Sequence, residues 1–470
     1  MVSNLGENIF IEDKVYKNGI SYRALELPGY FIDYVAGSSN KKSLVITFES
    51  GGDPGRPRPN ANRDPWGGKW LLQRGHHVLG IKPKTADWYR GEDLHAFFRS
   101  AALKQFFDDF DQVALYGGSM GGFAALTFAD AIPGSVVIAL DPQSTLDNRL
   151  VPWETRFPEG RKQNWGGDFN DARVGAAAAK MVYVAYDPLF EPDRKHVERL
   201  TEGNIIHFKM PLVRHGVGMF LQDAGLLSPF AEGALAGTLS ASECFRLARG
   251  RRNTSRYFGG MAIKSRSTLV KESCFEKIIN FDKIILSTHD DLNEIIRSIG
   301  NWDLLNSEKF RKVMYDFDDR RLAFCLKGAA DAGHADLALD ICRMTMARRK
   351  VSASFLSLVA ECYWKIGLLQ DAEAYGRLAC LNAPNNGGFH RILARILHSD
   401  KRPEEACQIS KIAVNLDGSS FLGWWDLAKF SEEAGNIEDA INAADRAFAL
   451  NPKDRRPNDL SNKLKTEKIK

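Results

Sequence analysis

Cysteine is absent from the first 243 residues, and the seven that follow (Cys244, Cys274, Cys325, Cys342, Cys362, Cys380 and Cys407) include no Cys-x-x-Cys pair. An odd count without that spacing excludes a disulfide framework and gives no zinc motif. Free thiols on helices act as small core residues, which places the chain in a reducing cytoplasm. Long apolar runs are missing too, so no membrane span is expected. The first residues, Met1-Val2-Ser3-Asn4-Leu5-Gly6-Glu7-Asn8, lack the basic and apolar regions of a signal peptide. Charge of one sign is scarce: a net +4 over 470 residues implies no nucleic-acid partner. What is present, 44% hydrophobic and 26% charged residues, suits a protein of two or three globular domains.

Up to about residue 235, short β-branched runs alternate with helical patterns. Tyr30–Val35, Ser43–Phe48, His77–Ile81, Gln112–Tyr116, Ser135–Leu140, Met181–Tyr186 and Asn204–Phe208 read as strands. Their apolar runs are mostly continuous, as in strands covered on both faces. Leu94–Phe107, Gly121–Ala131 and Asp193–Thr201 supply helical crossovers, and the whole predicts an α/β domain with a mostly parallel, doubly wound sheet.

The second half repeats. Ala338, Ala372, Ala406 and Ala440 recur every 34 residues; Gly333, Gly367 and Gly435 keep the same step, with Lys401 at the position between the last two. Pro384 and Pro452 follow Leu-Asn endings two periods apart. This pattern resembles the tetratricopeptide repeat. The resemblance implies an all-α array over 321–470 that binds a protein partner, ending in a Lys-rich tail that frays or caps. Between the halves, 236–320 reads as a basic, mostly helical junction with Arg246, Arg249, Arg251, Arg252 and Arg256, taken as a solvated linker face.

The chemistry centres on Val113-Ala114-Leu115-Tyr116-Gly117-Gly118-Ser119-Met120-Gly121-Gly122. An apolar strand runs into Gly-x-Ser-x-Gly and a small-residue helix leaves it, the pattern of a nucleophile elbow. Gly117 and Gly121 are expected where backbones approach too closely for a Cβ. With the strand series, this resembles the α/β-hydrolase fold over residues 1–235. That family orders its triad Ser, acid, His, because a serine hydroxyl needs an imidazole to take its proton and a carboxylate to hold that imidazole.

The resemblance implies Ser119 as nucleophile and His215, in the loop Arg214-His215-Gly216, as base. Asp187, at the end of the strand Met181–Tyr186, is the first choice of acid. Asp193, which also suits a helix N-cap, and Asp141, ending the preceding strand, are the alternatives. Met120 N–H would supply one oxyanion donor, and Ser50 or Gly51 in Glu49-Ser50-Gly51-Gly52-Asp53-Pro54 the other. His196 and His207 read as packing residues.

Loops at the strand ends carry Arg56, Arg58, Arg63 and Trp66, then Lys82, Lys84, Trp88, Tyr89 and Arg90. The connection from Asp141 to Lys180, expected to form a lid, adds Arg149, Trp153, Arg156, Phe157, Arg161 and Trp165. Such a surface suits an acylated or anionic glycan, or equally a lid held together by its own charges. The expectation is a serine hydrolase, a carboxylic ester hydrolase first, with acyl transfer to a sugar hydroxyl or a non-catalytic repeat scaffold as alternatives. Neither a metal nor an organic cofactor is implied.

Overall fold

A computed structural model describes residues 9–10, 12–15, 19–38, 40–51, 61–281, 286–315 and 317–469. The chain divides into two compact units, Met1–Met261 and Ala262–Lys470. The division falls inside the expected junction, so its arginine-rich part belongs to the first unit. There Cys244 and Ala248 are buried in one apolar cluster with Tyr183 and Phe208.

The first unit is a nine-stranded mixed sheet: β1 Glu12–Val15, β2 Ser21–Leu27, β3 Tyr30–Val35, β4 Ser43–Phe48, β5 His77–Pro83, β6 Gln112–Gly118, β7 Val136–Leu140, β8 Met181–Tyr186 and β9 Ile205–Lys209. Their order is β1-β2-β3-β5-β4-β6-β7-β8-β9. Strands β4 to β9 pair in parallel, while β1, β2 and β3 run antiparallel. Every residue of β4, β5 and β7 is buried, which is why these strands do not alternate apolar with solvent-facing positions.

Strands β1 and β2 escaped the sequence reading. In β2, buried Tyr22 and Ala24 alternate with more exposed Ser21, Arg23 and Leu25, and β1 is a polar strand at the sheet's edge. The expected helix Leu94–Phe107 is two, Glu92–Arg99 and Ala101–Asp108. Ser100 is extended between them, and its hydroxyl caps the second by accepting from Leu103 N–H at 3.2 Å. Because β4 and β6 to β9 are parallel, the loops beginning at Glu49, Ser119, Asp141, Asp187 and Met210 emerge at one edge of the sheet.

The second unit is built of tetratricopeptide-like helical repeats. Helices begin at Asp319, Ala353, Gly387 and Phe421, and their partners at Ala335, Leu369, Pro403 and Ile437, each series advancing by 34 residues. Ala338, Ala372, Ala406 and Ala440 occupy the fourth position of the second helix of each pair and are fully buried. Gly333, Gly367 and Gly435 turn between paired helices with φ of 96°, 83° and 76°, and Lys401 makes the same turn at 60°. The Lys-rich tail forms a helix, Arg456–Ile469, that buries Leu460 and Leu464 against the last repeat. All seven cysteines are free and buried. No described helix is long and apolar enough to cross a membrane.

Candidate active site

Strand β6 ends at Gly118, and a buried helix, Met120–Phe128, starts two residues later. Ser119 between them has φ 53° and ψ −117°, far from the conformations that L-residues prefer. The turn is held by Ser119 N–H donating to Leu140 C=O at 2.7 Å and Phe123 N–H donating to Ser119 C=O at 3.0 Å. A Cβ on Gly117 would strike the Gly121 carbonyl, and one on Gly121 would strike the Phe48 carbonyl. Both glycines are there for close approach of backbones.

His215 lies in the loop after β9, between Arg214 at φ 56° and Gly216 at φ 96°. Its Nε2 is 3.1 Å from Ser119 Oγ, and its Nδ1 is 2.8 Å from Asp193 Oδ2. In the neutral ring, Nδ1–H donates to Asp193 and Nε2 accepts from the serine hydroxyl. Asp193 is fully buried, and its other oxygen accepts from Arg156 Nη1 at 2.9 Å. Burial pulls the imidazole pKa down, but the hydrogen bond to Asp193 and the charges of Asp141 and Asp193 outweigh it. His215 therefore titrates above its ordinary 6.5.

The carboxylate on His215 is thus that of Asp193, and the first-choice acid Asp187 is elsewhere engaged. Its oxygens accept from the backbone N–H groups of Leu189 at 2.8 Å and Arg214 at 2.7 Å, which ties the end of β8 to the histidine loop. The sequence misleads here because Asp193, in the first turn of the helix Glu191–Val197, looks like a cap. The capping position is Phe190, with no side-chain bond, and Asp193 turns instead to His215. Asp141 accepts from Gly216 N–H at 2.9 Å and from Val217 N–H.

Met120 opens its helix, so its N–H has no acceptor within that helix. Gly51 lies beside it: a Cβ there would stand 4.0 Å from Met120 Cβ. Tyr89 Oη donates to Glu49 C=O at 2.9 Å, and in a trans peptide this turns the Ser50 N–H the opposite way. Gly52, Asp53, Pro54, Arg56 and Arg58 lie outside the described residues. Gln143 was not singled out from sequence. It is fully buried, its Nε2 is 3.4 Å from Ser119 Oγ, and its Oε1 accepts from Trp88 Nε1 at 3.2 Å.

Among the described residues, the cations expected to meet an anionic substrate are engaged within the protein. Arg90 donates to the carbonyls of Asn164, Gly166, Asp168 and Phe169. Arg156 forks onto Glu154 as well as Asp193, Arg161 holds the carbonyls of Val151 and Glu154, and Arg149 pairs with Asp147. Lys82 is buried against Asp33, Arg63 pairs with Glu49, and Lys84 pairs with Glu26.

His196 is a packing residue: its Nδ1 accepts from Ser144 N–H at 3.1 Å and its Nε2 donates to Glu154 at 3.1 Å. His207 sits in β9 with its ring against Tyr186. From the expected linker, buried Arg256 reaches back to donate to His215 C=O at 2.8 Å. One basic residue of that run therefore holds the histidine loop.

No family model matches the chain, and no curated protein matches it. Solved structures give partial likenesses. A crystal structure of MamA is 14% identical at a TM-score of 0.30, covering 34% of this chain and 95% of its own. TTC0263, a thermophilic TPR protein in Thermus thermophilus, is 17% identical at 0.31, covering 39% and 99%. The first TPR of Spaghetti (RPAP3), bound to the HSP90 peptide SRMEEVD, is 18% identical at 0.25, covering 25% and 94%. At such scores the repeat architecture stands on its own 34-residue spacing rather than on these neighbours.

Proposed function

We propose that the sheet unit is a serine hydrolase of α/β-hydrolase type that cleaves an acyl ester. The observation that carries this reading is the continuous relay Ser119 Oγ–His215 Nε2 and His215 Nδ1–Asp193 Oδ2, at 3.1 and 2.8 Å, built on a serine of left-handed φ. Ser119 Oγ bonds to the acyl carbon as His215 Nε2 takes its proton, and Asp193 holds the other ring nitrogen. The carbonyl oxygen becomes an oxyanion facing Met120 N–H and the Ser50–Gly51 backbone. Collapse expels the alcohol, which leaves with the proton from Nε2. Water then attacks the acyl-enzyme by the same relay and releases the acid.

An aromatic side chain lies beside His215. Phe157 lies 6.2 Å from the imidazole, centroid to centroid, and 5.2 Å from Trp88. This favours an apolar acyl chain or the face of a sugar over a purely ionic ligand. Acyl transfer to a sugar hydroxyl uses the same site with a different second nucleophile. A fluorophosphonate probe should label the wild-type chain at Ser119 and leave Ser119→Ala unlabelled. Absence of labelling, with no turnover of short nitrophenyl esters, would overturn the reading.

A non-catalytic scaffold role is favoured by a separate observation, the four-repeat array of the second unit. Arrays of this kind bind partners along their stacked faces. We read the repeats as the protein-binding half of the same chain. Trp424 and Trp425 are each only partly buried. Trp425→Ala should weaken recovery of a partner while leaving ester hydrolysis unchanged. Free buried thiols throughout suit a reducing compartment.

A further inference from the structure

Asp141 is a carboxylate with half of its bonding unaccounted for. It follows β7 in a left-handed conformation, φ 45°, with its N–H donating to Ala185 C=O at 2.8 Å. Oδ2 accepts from the backbone N–H groups of Gly216 and Val217. Oδ1 is buried with no hydrogen-bond partner among the described residues. One carboxylate oxygen of Asp141, one of Asp193 and one ring nitrogen of His215 all lie within 4.8 Å of each other. A buried, half-satisfied carboxylate is costly unless a positive charge forms beside it.

We propose that His215 is served by two carboxylates. Asp193 orients the ring through Nδ1. Asp141 fixes the histidine loop with one oxygen and, with the other, stabilises the imidazolium that forms as Ser119 loses its proton. Asp141 touches no substrate atom and acts through His215, so it is a positioning residue. The charged groups around this pair are His215 on the loop after β9, Asp193 on the helix Glu191–Val197, Arg156 from the lid, which is bonded to Asp193, and Arg256, which donates to the His215 C=O. Burial, with the Asp193 charge beside it, raises the Asp141 carboxyl, while the His215 charge and the Gly216 and Val217 N–H groups pull it down, so Asp141 and His215 each favour the charged form of the other. When the relay forms the imidazolium, its charge draws Asp141 to the ionised form, and the positive ring then stands beside two carboxylates that the fold holds in position.

The kinetic consequences rest on the hydrolase reading; the titration of His215 does not. The test uses the full chain with 13C-labelled histidine, as wild type, Asp141→Asn, Asp193→Asn and the double variant. Asparagine at 141 keeps an acceptor for the Gly216 and Val217 N–H groups and removes only the charge. In Asp141→Asn the His215 pKa should fall by about one unit. kcat/KM on nitrophenyl acetate should fall roughly 10-fold, with its acid limb moved to lower pH.

Asp193→Asn should lose only about 100-fold, short of the roughly 10^4-fold loss of an enzyme whose triad acid has no second carboxylate; the double variant should reach that larger loss. An unchanged His215 titration in folded Asp141→Asn, or a double variant no worse than Asp193→Asn, would overturn the proposal. Should Asp141→Asn fail to fold, Asp193→Asn decides: a His215 pKa held at 6.5 or above supports the second carboxylate, and one well below it refutes it. A shifted titration without ester turnover in the wild type would sink the hydrolase reading and leave the two-carboxylate pair standing.

Discussion

The two units handle backbone strain differently. Of the eight described non-glycine residues with positive φ, seven lie in the sheet unit and one in the repeats. Five of the seven converge on one place. Ser119 carries the candidate nucleophile, Trp88 bonds Gln143 behind it, and Tyr89 sets the Glu49 carbonyl. Asp141 and Arg214 shape the histidine loop. In the repeats the left-handed turns recur every 34 residues, three of four at glycine, and no turn differs from its neighbours in task. Concentrated strain over-determined by its surroundings marks a site, whereas strain spread evenly and relieved by glycine marks only a repeated corner.

The comparison breaks first at Ser119. Ser119→Ala should lower kcat/KM by about 10^4-fold or more, because the relay then has nothing to activate. Both thermal transitions should stay where they are, since one oxygen on a preformed turn contributes little to folding. Ordinary turnover by this variant on a short nitrophenyl ester would remove the site from the sheet unit altogether.

The next effect is on stability and belongs to the sheet unit alone. Lys82 and Asp33 are both buried, and Lys82 Nζ also donates to the carbonyls of Ala61 at 3.2 Å and Arg63 at 2.9 Å. Lys82→Met would remove the buried cation that Asp33 faces, a loss of about 3–5 kcal/mol. Calorimetry should show the sheet transition falling and the helical transition unmoved. Movement of both would mean that the units do not unfold independently.

A smaller effect concerns pH. With His215 held above 6.5, kcat/KM should rise with pH through an acid limb centred above that value, as the ring loses its proton and becomes a base. A limb centred at or below 6.5 would show that burial, not the carboxylates, dominates the imidazole.

The halves were also unequally legible in the sequence. The repeats could be read in their period and contact positions, because a period of 34 with Ala338, Ala372, Ala406 and Ala440 states the helix contacts directly. The buried strands and the Ser119 turn were legible because continuous apolar runs and Gly-x-Ser-x-Gly report local constraints. The acid was not. Asp187 and Asp193 both follow β8, and which one meets His215 depends on a turn at 187–190 and a helix that rotates Asp193 inward. Gln143 left no signal, and Arg256 read only as one charge of a basic run: their partners, Ser119 and the His215 carbonyl, are distant in the chain. The lid's arginines were legible as charges, but their pairing with Glu154, Asp147 and backbone carbonyls is a tertiary fact.

The smallest effect sharpens the comparison from the side of the repeats. Lys401 makes the turn that Gly333, Gly367 and Gly435 make, at φ 60° against 96°, 83° and 76°, and its side chain is exposed. A residue with a Cβ in this conformation costs roughly 1–2 kcal/mol relative to glycine, partly offset by glycine's greater freedom in the unfolded chain. Lys401→Gly should therefore stabilise the repeats by about 0.5–1 kcal/mol. Gly367→Ala, the reverse change one repeat earlier, should destabilise them by about 1 kcal/mol, since nothing crowds that position and only the backbone conformation is at stake. Calorimetry on the full chain should show the helical transition moving up in one variant and down in the other, with the sheet transition and ester hydrolysis unchanged in both. A Lys401→Gly protein no more stable than wild type would mean that the lysine is held there by a contact worth as much as the strain, and the third corner of the array would then differ in task from the others.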